Sequence, residues 1–269
     1  MPRQERIVGQ DENKKYIIGD AVEVLQDYKN KASLIYLDDA WARPQRAGQF
    51  GVTYPTHAFS EDDKKKKQPR RTTRDILDAC YDALEEGGWL IADADDWLLP
   101  KLIQYLQREW GNVAETYKGG GYRKIGGVTY LKKGIFESED ETPQPDRSTA
   151  GMYLSNGGYP VVFAHKGETT RKTSTSARQV STRQNKNYGW GSAKPTDPYR
   201  EWINALLKKD ELLIVPCAGT APAAVAAEQL YGEEAKYACI DVEQGAYEAF
   251  MRRRQDEIQS RPELQEFDD

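Results

Sequence analysis

The hydrophobic positions of the chain fall into two alternating rhythms. Short apolar runs, SLIYL (33–37), WLIADA (89–94), ELLIV (211–215) and KYACI (236–240), have the length of buried strands, and 16–18 adds a shorter one. Between them lie segments whose apolar residues recur at three and four positions: AVEVLQDY (21–28), RDILDACYDALEE (74–86), DWLLPKLIQYLQREWG (96–111), PTDPYREWINALLK (195–208), TAPAAVAAEQLY (220–231) and VEQGAYEAFMRRRQDEI (242–258). That spacing predicts helices. Thr73 stands where it can cap the second helix, and Gly87-Gly88 where it can end it. Two regions break the rhythm. A polar loop from Asp38 to about Thr72 holds Gly48, Gly51, Pro55 and the run Lys64 to Lys67, and the stretches 121–136 and 158–164 read as hairpins. Strand and helix otherwise alternate, which predicts an α/β fold: a Rossmann-like, mostly parallel sheet with helices on both faces. Ligands of such sheets gather at the carboxyl ends of the strands.

Composition narrows the picture. A chain of 269 residues suits one domain over 1–269, with 117–192 as an inserted hairpin and loop region. No apolar run approaches the roughly 18 to 20 residues of a spanning helix, and MPRQERIVGQDENKK has no apolar signal core, so no membrane partner and a cytoplasmic location are expected. Cys80, Cys217 and Cys239 are odd in number and widely spaced, which argues against a disulfide framework or a thiolate zinc site. His57 and His165 have no second ligand at i+3 or i+4, so no metal site is expected. The net charge of −5 hides local asymmetry: 169–196 holds six Lys/Arg and no acid, whereas 137–146 holds five acids and two prolines and reads as a solvated loop.

Three strand ends carry distinctive chemistry. SLIYL runs into LDDAW, ELLIV into PCAGTAP, and KYACI into Asp241. PCAGT is a small-residue turn entering a helix, where a ligand can approach the backbone closely, and an acid about twenty residues on suits a ribose diol. Each feature alone has an ordinary reading. Tight turns before helices are common packing devices, and loops after strands often hold an acid and an aromatic. The pair Pro216-Cys217 has no cationic neighbour in sequence to activate its thiol, and Cys217 reads as packing.

Taken in order, these pieces resemble the β-type, circularly permuted S-adenosylmethionine-dependent DNA amino-methyltransferases, which methylate adenine N6 or cytosine N4. The resemblance spans nearly the whole chain. YIIGDAVEVL precedes a strand whose end, LDDAW, is similar to the family's Asp-Pro-Pro-Tyr; YPVVFAHKG precedes the recognition region; Lys194-Pro195 opens a helix; VPCAGTAP is similar to DPFAGSGT; and KYACIDVEQGAYEAFMRRR is similar to the closing strand and helix. The sequence departs from the pattern at Asp39 and Ala40, where the family has prolines, and at Val215, Cys217 and Ala221, where it has an acid, a Phe and a second Gly.

The resemblance implies S-adenosyl-L-methionine as cofactor, with Asp20 at its adenine amine, Pro216, Ala218, Gly219 and Thr220 beneath its methionine part, Lys194 near its methionine end, Asp241 on its ribose, and Asp38 also among the cofactor-binding residues. It implies Asp38, Asp39 and Trp41 as the catalytic group: Asp38 facing the target amine, the backbone carbonyl of Asp39 beside it, and Trp41 stacking on a base flipped out of double-stranded DNA. An exocyclic amine is a poor nucleophile because its lone pair is delocalised, and a carboxylate accepting its N–H favours the transition state. No enzyme nucleophile is then needed, which fits the scarcity of histidine. Asp39 beside Asp38 calls for a cation, either Arg43 or Lys194. The acid-free stretch supplies the expected DNA contacts, Arg171, Lys172, Arg178, Arg183, Lys186 and Tyr188, within a recognition loop at 169–192. The run Lys64 to Lys67, with Arg70, Arg71 and Arg74, is a second basic patch beside three acids. A homodimer is left open. The small plan, without a nuclease or helicase segment, suits an orphan or virus-borne enzyme or one of a restriction-modification pair. Two rivals remain open: a catalytically degenerate relative that binds DNA without turnover, and a nucleotide-binding enzyme of another Rossmann type, which would want a G-x-G-x-x-G after the first strand.

Overall fold

The computed structural model describes residues 3–9, 11–38, 73–94, 96, 99–111, 124–131, 157–169, 171, 174–191 and 193–259. Its strands are β1 (Gln4–Val8), β2 (Asp11–Ile18), β3 (Ala32–Leu37), β4 (Leu84–Asp93), β5 (Ile125–Leu131), β6 (Gly158–His165), β7 (Arg178–Thr182), β8 (Leu212–Pro216) and β9 (Lys236–Asp241). Its helices are α1 (Ala21–Leu25), α2 (Thr73–Ala83), α3 (Leu99–Glu109), α4 (Asp197–Leu206), α5 (Pro222–Tyr231) and α6 (Gln244–Arg254). The described strands form one nine-stranded sheet in the order β1-β2-β9-β8-β3-β4-β6-β5-β7.

β2, β9, β8, β3 and β4 are mutually parallel. β6 pairs antiparallel with both β4 and β5, and β7 runs parallel to β5, so only β1 and β6 oppose the rest. The mostly parallel sheet expected from the sequence is present. β3 is buried along its whole length, as an apolar run between two helix layers must be. Its two-residue period divides the core: Leu34 and Tyr36 pack with α4, α5 and α6, while Ile35 and Leu37 pack with α1, α2 and α3. The alanine-rich α5 is buried from Pro222 to Glu228, because its small side chains let it lie close under its neighbours.

Two expectations need correction. Thr73 is the first residue of α2 rather than its cap, and α2 ends at Ala83 instead of reaching Gly87. The chain enters β4 at once, and Gly87-Gly88 lies inside that strand, where its register against β3 jumps from Ala32↔Leu84 to Leu34↔Trp89. Both glycines serve close backbone approach: a Cβ on Gly87 (φ +77°) would lie 2.9 Å from the Glu168 carbonyl oxygen, and one on Gly88 2.9 Å from that of Ala32. Of the expected hairpin at 121–136, the described residues 124–131 hold β5, which pairs with β6 and β7, and the rest of that stretch lies outside the described residues. β1 and β7 had no apolar signature because both are sheet edges, half in solvent, where polar residues are normal.

Candidate active site

Parallel register places five strand ends side by side. Ile18 is level with Asp241, Ile240 with Pro216, and Leu37 with Ala92, so Asp20, Asp241, the turn after Pro216, Asp38 and Asp93 line one edge of the sheet. Two backbone bonds stitch this edge: Gly19 N–H donates to the Asp241 carbonyl at 2.8 Å and Ala218 N–H to that of Ile240 at 2.9 Å.

The turn from β8 to α5 is tightly wound. Cys217, Gly219 and Ala221 have φ of +56°, +50° and +45°. Gly219 is under an additional constraint, because a Cβ there would stand 3.1 Å from Nε1 of Trp190. The Tyr16 hydroxyl, fully buried below, donates to the Gly219 carbonyl at 3.1 Å. Asp241 accepts the Gly219 N–H at 2.9 Å and the Glu243 N–H at 3.0 Å. Burial pushes the Asp241 carboxyl up, and these backbone donors only partly oppose it. The amides of Ala218 and Gly219 are thus engaged within the fold. Asp20 caps α1 by accepting the Glu23 N–H at 3.2 Å.

One strand further along, Lys194 stands between two carboxylates. Its Nζ lies 2.5 Å from Asp38 Oδ1 and 2.7 Å from Asp93 Oδ2, and 4.9 Å from the Tyr159 ring centre. Lys194 is 7% exposed and Asp93 2%. The hydroxyls of Tyr36 and Tyr199 each donate to the same Asp93 Oδ2 at 2.6 Å, and Tyr159 and Tyr199 share a hydrogen bond of 2.5 Å. Asp93 Oδ1 is buried and has no hydrogen-bond partner among the described residues. Burial raises the Asp93 carboxyl, with Lys194 acting against it, and burial likewise pushes the three tyrosine hydroxyls well up.

Arg253 ties the pieces together from α6. Fully buried, it donates to Thr220 Oγ1 (3.0 Å), to the Lys194 carbonyl (2.8 Å), to Thr196 Oγ1 (2.6 Å) and to Glu257 Oε1 (2.8 Å). The sequence reading passes over Asp93, although it carries the same signature as Asp38, an acid closing an apolar run. Arg253 is one of three consecutive arginines, and nothing local marks it.

The structure brings Asp20, Asp38, Lys194, Pro216, Ala218, Gly219, Thr220 and Asp241 to one edge. Asp39, Trp41, Lys172, His57, the Lys64 to Lys67 run and the acidic stretch 137–146 lie outside the described residues. The remaining basic positions are placed variously. Arg178 is exposed on the edge strand β7, and Arg183 lies 4.5 Å from the centre of the Tyr130 ring. Arg171 pairs with Glu211 at 2.6 Å, Lys186 with Asp256 at 2.5 Å, and the Tyr188 hydroxyl donates to Glu257 at 2.9 Å. Among the described residues there is no cluster of three metal-ligating side chains, and no helix is long and apolar enough to cross a membrane.

No family model matches the sequence, and no curated protein is significantly similar to it. Solved structures are similar in fold. The cytosine-N4-specific PvuII DNA methyltransferase superposes with a TM-score of 0.62 at 11% identity, over 88% of this chain and 85% of that one. TTHA0409 of Thermus thermophilus, assigned as a DNA modification methylase and complexed with S-adenosyl-L-methionine, gives 0.57 at 13% identity over 91% and 94%. The M1.HpyAVI–SAM complex gives 0.50 at 9% identity over 87% and 95%. The chain therefore has the α/β fold that these DNA methyltransferases share.

Proposed function

We propose that the protein is an S-adenosylmethionine-dependent DNA methyltransferase acting on the exocyclic amine of a flipped adenine (N6) or cytosine (N4). The observation that carries this reading is one sheet edge holding, in adjacent places, a strand-end acid beside a glycine turn and a second acid held by a buried lysine. The first pair suits a nucleoside carrying a charged tail. Asp241 uses its oxygens only partly on backbone N–H groups, and a carboxylate has about four acceptor positions, so a ribose diol can be received as well. Val242, next in sequence and 48% exposed, offers an apolar surface to an adenine ring. Gly219, without a Cβ, lets the Trp190 indole lie directly against the turn. These residues fit the cofactor, whose sulfonium methyl is the group transferred.

Asp38 is then the acceptor for the target amine's N–H. Ionised, it draws the nitrogen toward the tetrahedral form that can attack, and afterwards takes the proton that nitrogen must lose. Double-stranded DNA would meet the face that carries Arg178 and Arg183, with Trp41 against the extruded base.

Calorimetric titration with S-adenosylmethionine, followed by tritiated-methyl transfer to DNA of mixed sequence, tests the reading. Wild type should bind and transfer, and Asp38→Ala should bind cofactor nearly as well while losing on the order of a hundredfold or more in turnover. Binding of cofactor and DNA with no methyl transfer would favour the binding-only relative.

A further inference from the structure

We propose that Trp190 is a cofactor-binding residue, its indole N–H donating to the carboxylate of the cofactor's methionine tail. The proposal rests on the reading of S-adenosylmethionine as cofactor and adds to its site a residue from outside the strand ends.

The indole lies across two backbone segments at once. A Cβ on Gly219 would stand 3.1 Å from its Nε1, and one on Gly245, at the start of α6, 3.5 Å from its Cζ3. The same two segments flank Asp241, whose carboxylate accepts the Gly219 N–H at one oxygen and the Glu243 N–H at the other. A nucleoside held by Asp241 with its tail against the turn from β8 to α5 therefore meets the indole. Trp190 is half-buried, which leaves surface for such a ligand.

The turn itself has few donors to give. The N–H of Ala218 goes to the Ile240 carbonyl, that of Gly219 to Asp241, and that of Ala221 to the Ala218 carbonyl. A carboxylate that leaves water for this place must find donors in exchange for its hydration. The indole Nε1–H is one, since an indole nitrogen can only donate. Trp190 donates from its backbone N–H to the Asn187 carbonyl at 2.9 Å, and among the described residues its Nε1–H has no acceptor.

The strap that carries Trp190 is fixed by its own contacts. Tyr188 and Gly189 turn it with φ of +56° and +79°, and Arg252 Nε donates to the Tyr188 carbonyl at 2.7 Å. The Tyr188 hydroxyl and Lys186 are tied to Glu257 and Asp256 beyond α6. An indole held in this way loses little freedom when a ligand arrives, so the hydrogen bond appears in affinity.

Calorimetry with two ligands isolates the contact: S-adenosylmethionine, and its decarboxylated form, which keeps the sulfonium and the ammonium. Trp190→Phe retains a ring against the two glycines and lacks the N–H. It should bind S-adenosylmethionine about tenfold or more less tightly than wild type, while its affinity for the decarboxylated form stays within about twofold. In wild-type protein labelled with nitrogen-15 at tryptophan, the Trp190 indole N–H should move downfield with S-adenosylmethionine and much less with the decarboxylated form, which carries the test should the variant fail to fold. Equal losses for the two ligands would mean that Trp190 only packs the turn, and no loss for either, or an unmoved indole resonance, that it stands outside the site; each overturns the proposal and leaves the cofactor reading intact. Wild type that binds neither ligand would overturn the cofactor reading and this proposal with it.

Discussion

Removing Arg253 should loosen the site and the fold together. Its guanidinium is fully buried and satisfies four acceptors from three segments: Thr220 on the turn into α5, the Lys194 carbonyl and Thr196 before α4, and Glu257 after α6. Thr196 in turn donates to Glu257 at 2.6 Å, so the arginine closes a ring of polar groups. Arg253→Ala would leave Glu257, itself only 14% exposed at the side chain, without its cation and would open a cavity. Breaking a buried pair by deleting one partner costs about 3 to 5 kcal/mol. For a chain of this size each kcal/mol is about 2 to 4 °C, so the melting temperature should fall by roughly 6 to 20 °C. Arg253→Lys should fall between, because one ammonium cannot span acceptors that a planar fork reaches. Scanning calorimetry at neutral pH reads the shift, and cofactor titration on the folded fraction reads the loosening of Thr220 and Lys194. An alanine variant melting within about 2 °C of wild type would refute the assignment of Arg253 as the clamp.

Neighbouring contacts carry their own expected outcomes. Ala221→Gly should be neutral or stabilising by up to about 1 kcal/mol in urea titration, because φ of +45° strains alanine and suits glycine; a clear loss would show that the Ala221 methyl packs more than the strain costs. Tyr16→Phe removes the donor to the Gly219 carbonyl, costing on the order of 1 kcal/mol of stability, and should weaken cofactor binding; unchanged affinity would separate that carbonyl from the site. Burial holds the Asp241 carboxyl above the usual range, so the folded chain keeps this proton more tightly than the unfolded one. Its contribution is fully present below the unfolded value and is lost as pH rises through the folded value. The unfolding free energy of Asp241→Asn relative to wild type should therefore increase with pH from about 4 upward, and a decrease would reverse the assignment. Arg178→Ala with Arg183→Ala should flatten the salt dependence of DNA affinity by up to about two counterions, and an identical slope would place both outside the DNA contact.

The apolar runs SLIYL, ELLIV and KYACI were legible as strands because a strand covered on both faces must be apolar throughout, and the helices between them because one stripe must face the sheet. From that alternation the sequence by itself determined the layered fold and the placing of Asp38, Gly219 and Asp241 along one edge of the sheet. It could not determine β1 and β7, since an edge strand half in water needs no apolar pattern, nor that Gly87-Gly88 continues a strand, since the same pair ends helices. Local pattern also says nothing of partners distant along the chain. Lys194 reaches Asp38 and Asp93 from more than one hundred positions away in sequence, and Arg253 reaches Thr220 across thirty-three. Those pairings exist only because parallel strands bring their carboxyl ends level and the helix layers close over them, where burial makes an unpaired charge expensive and so selects which acid meets which cation.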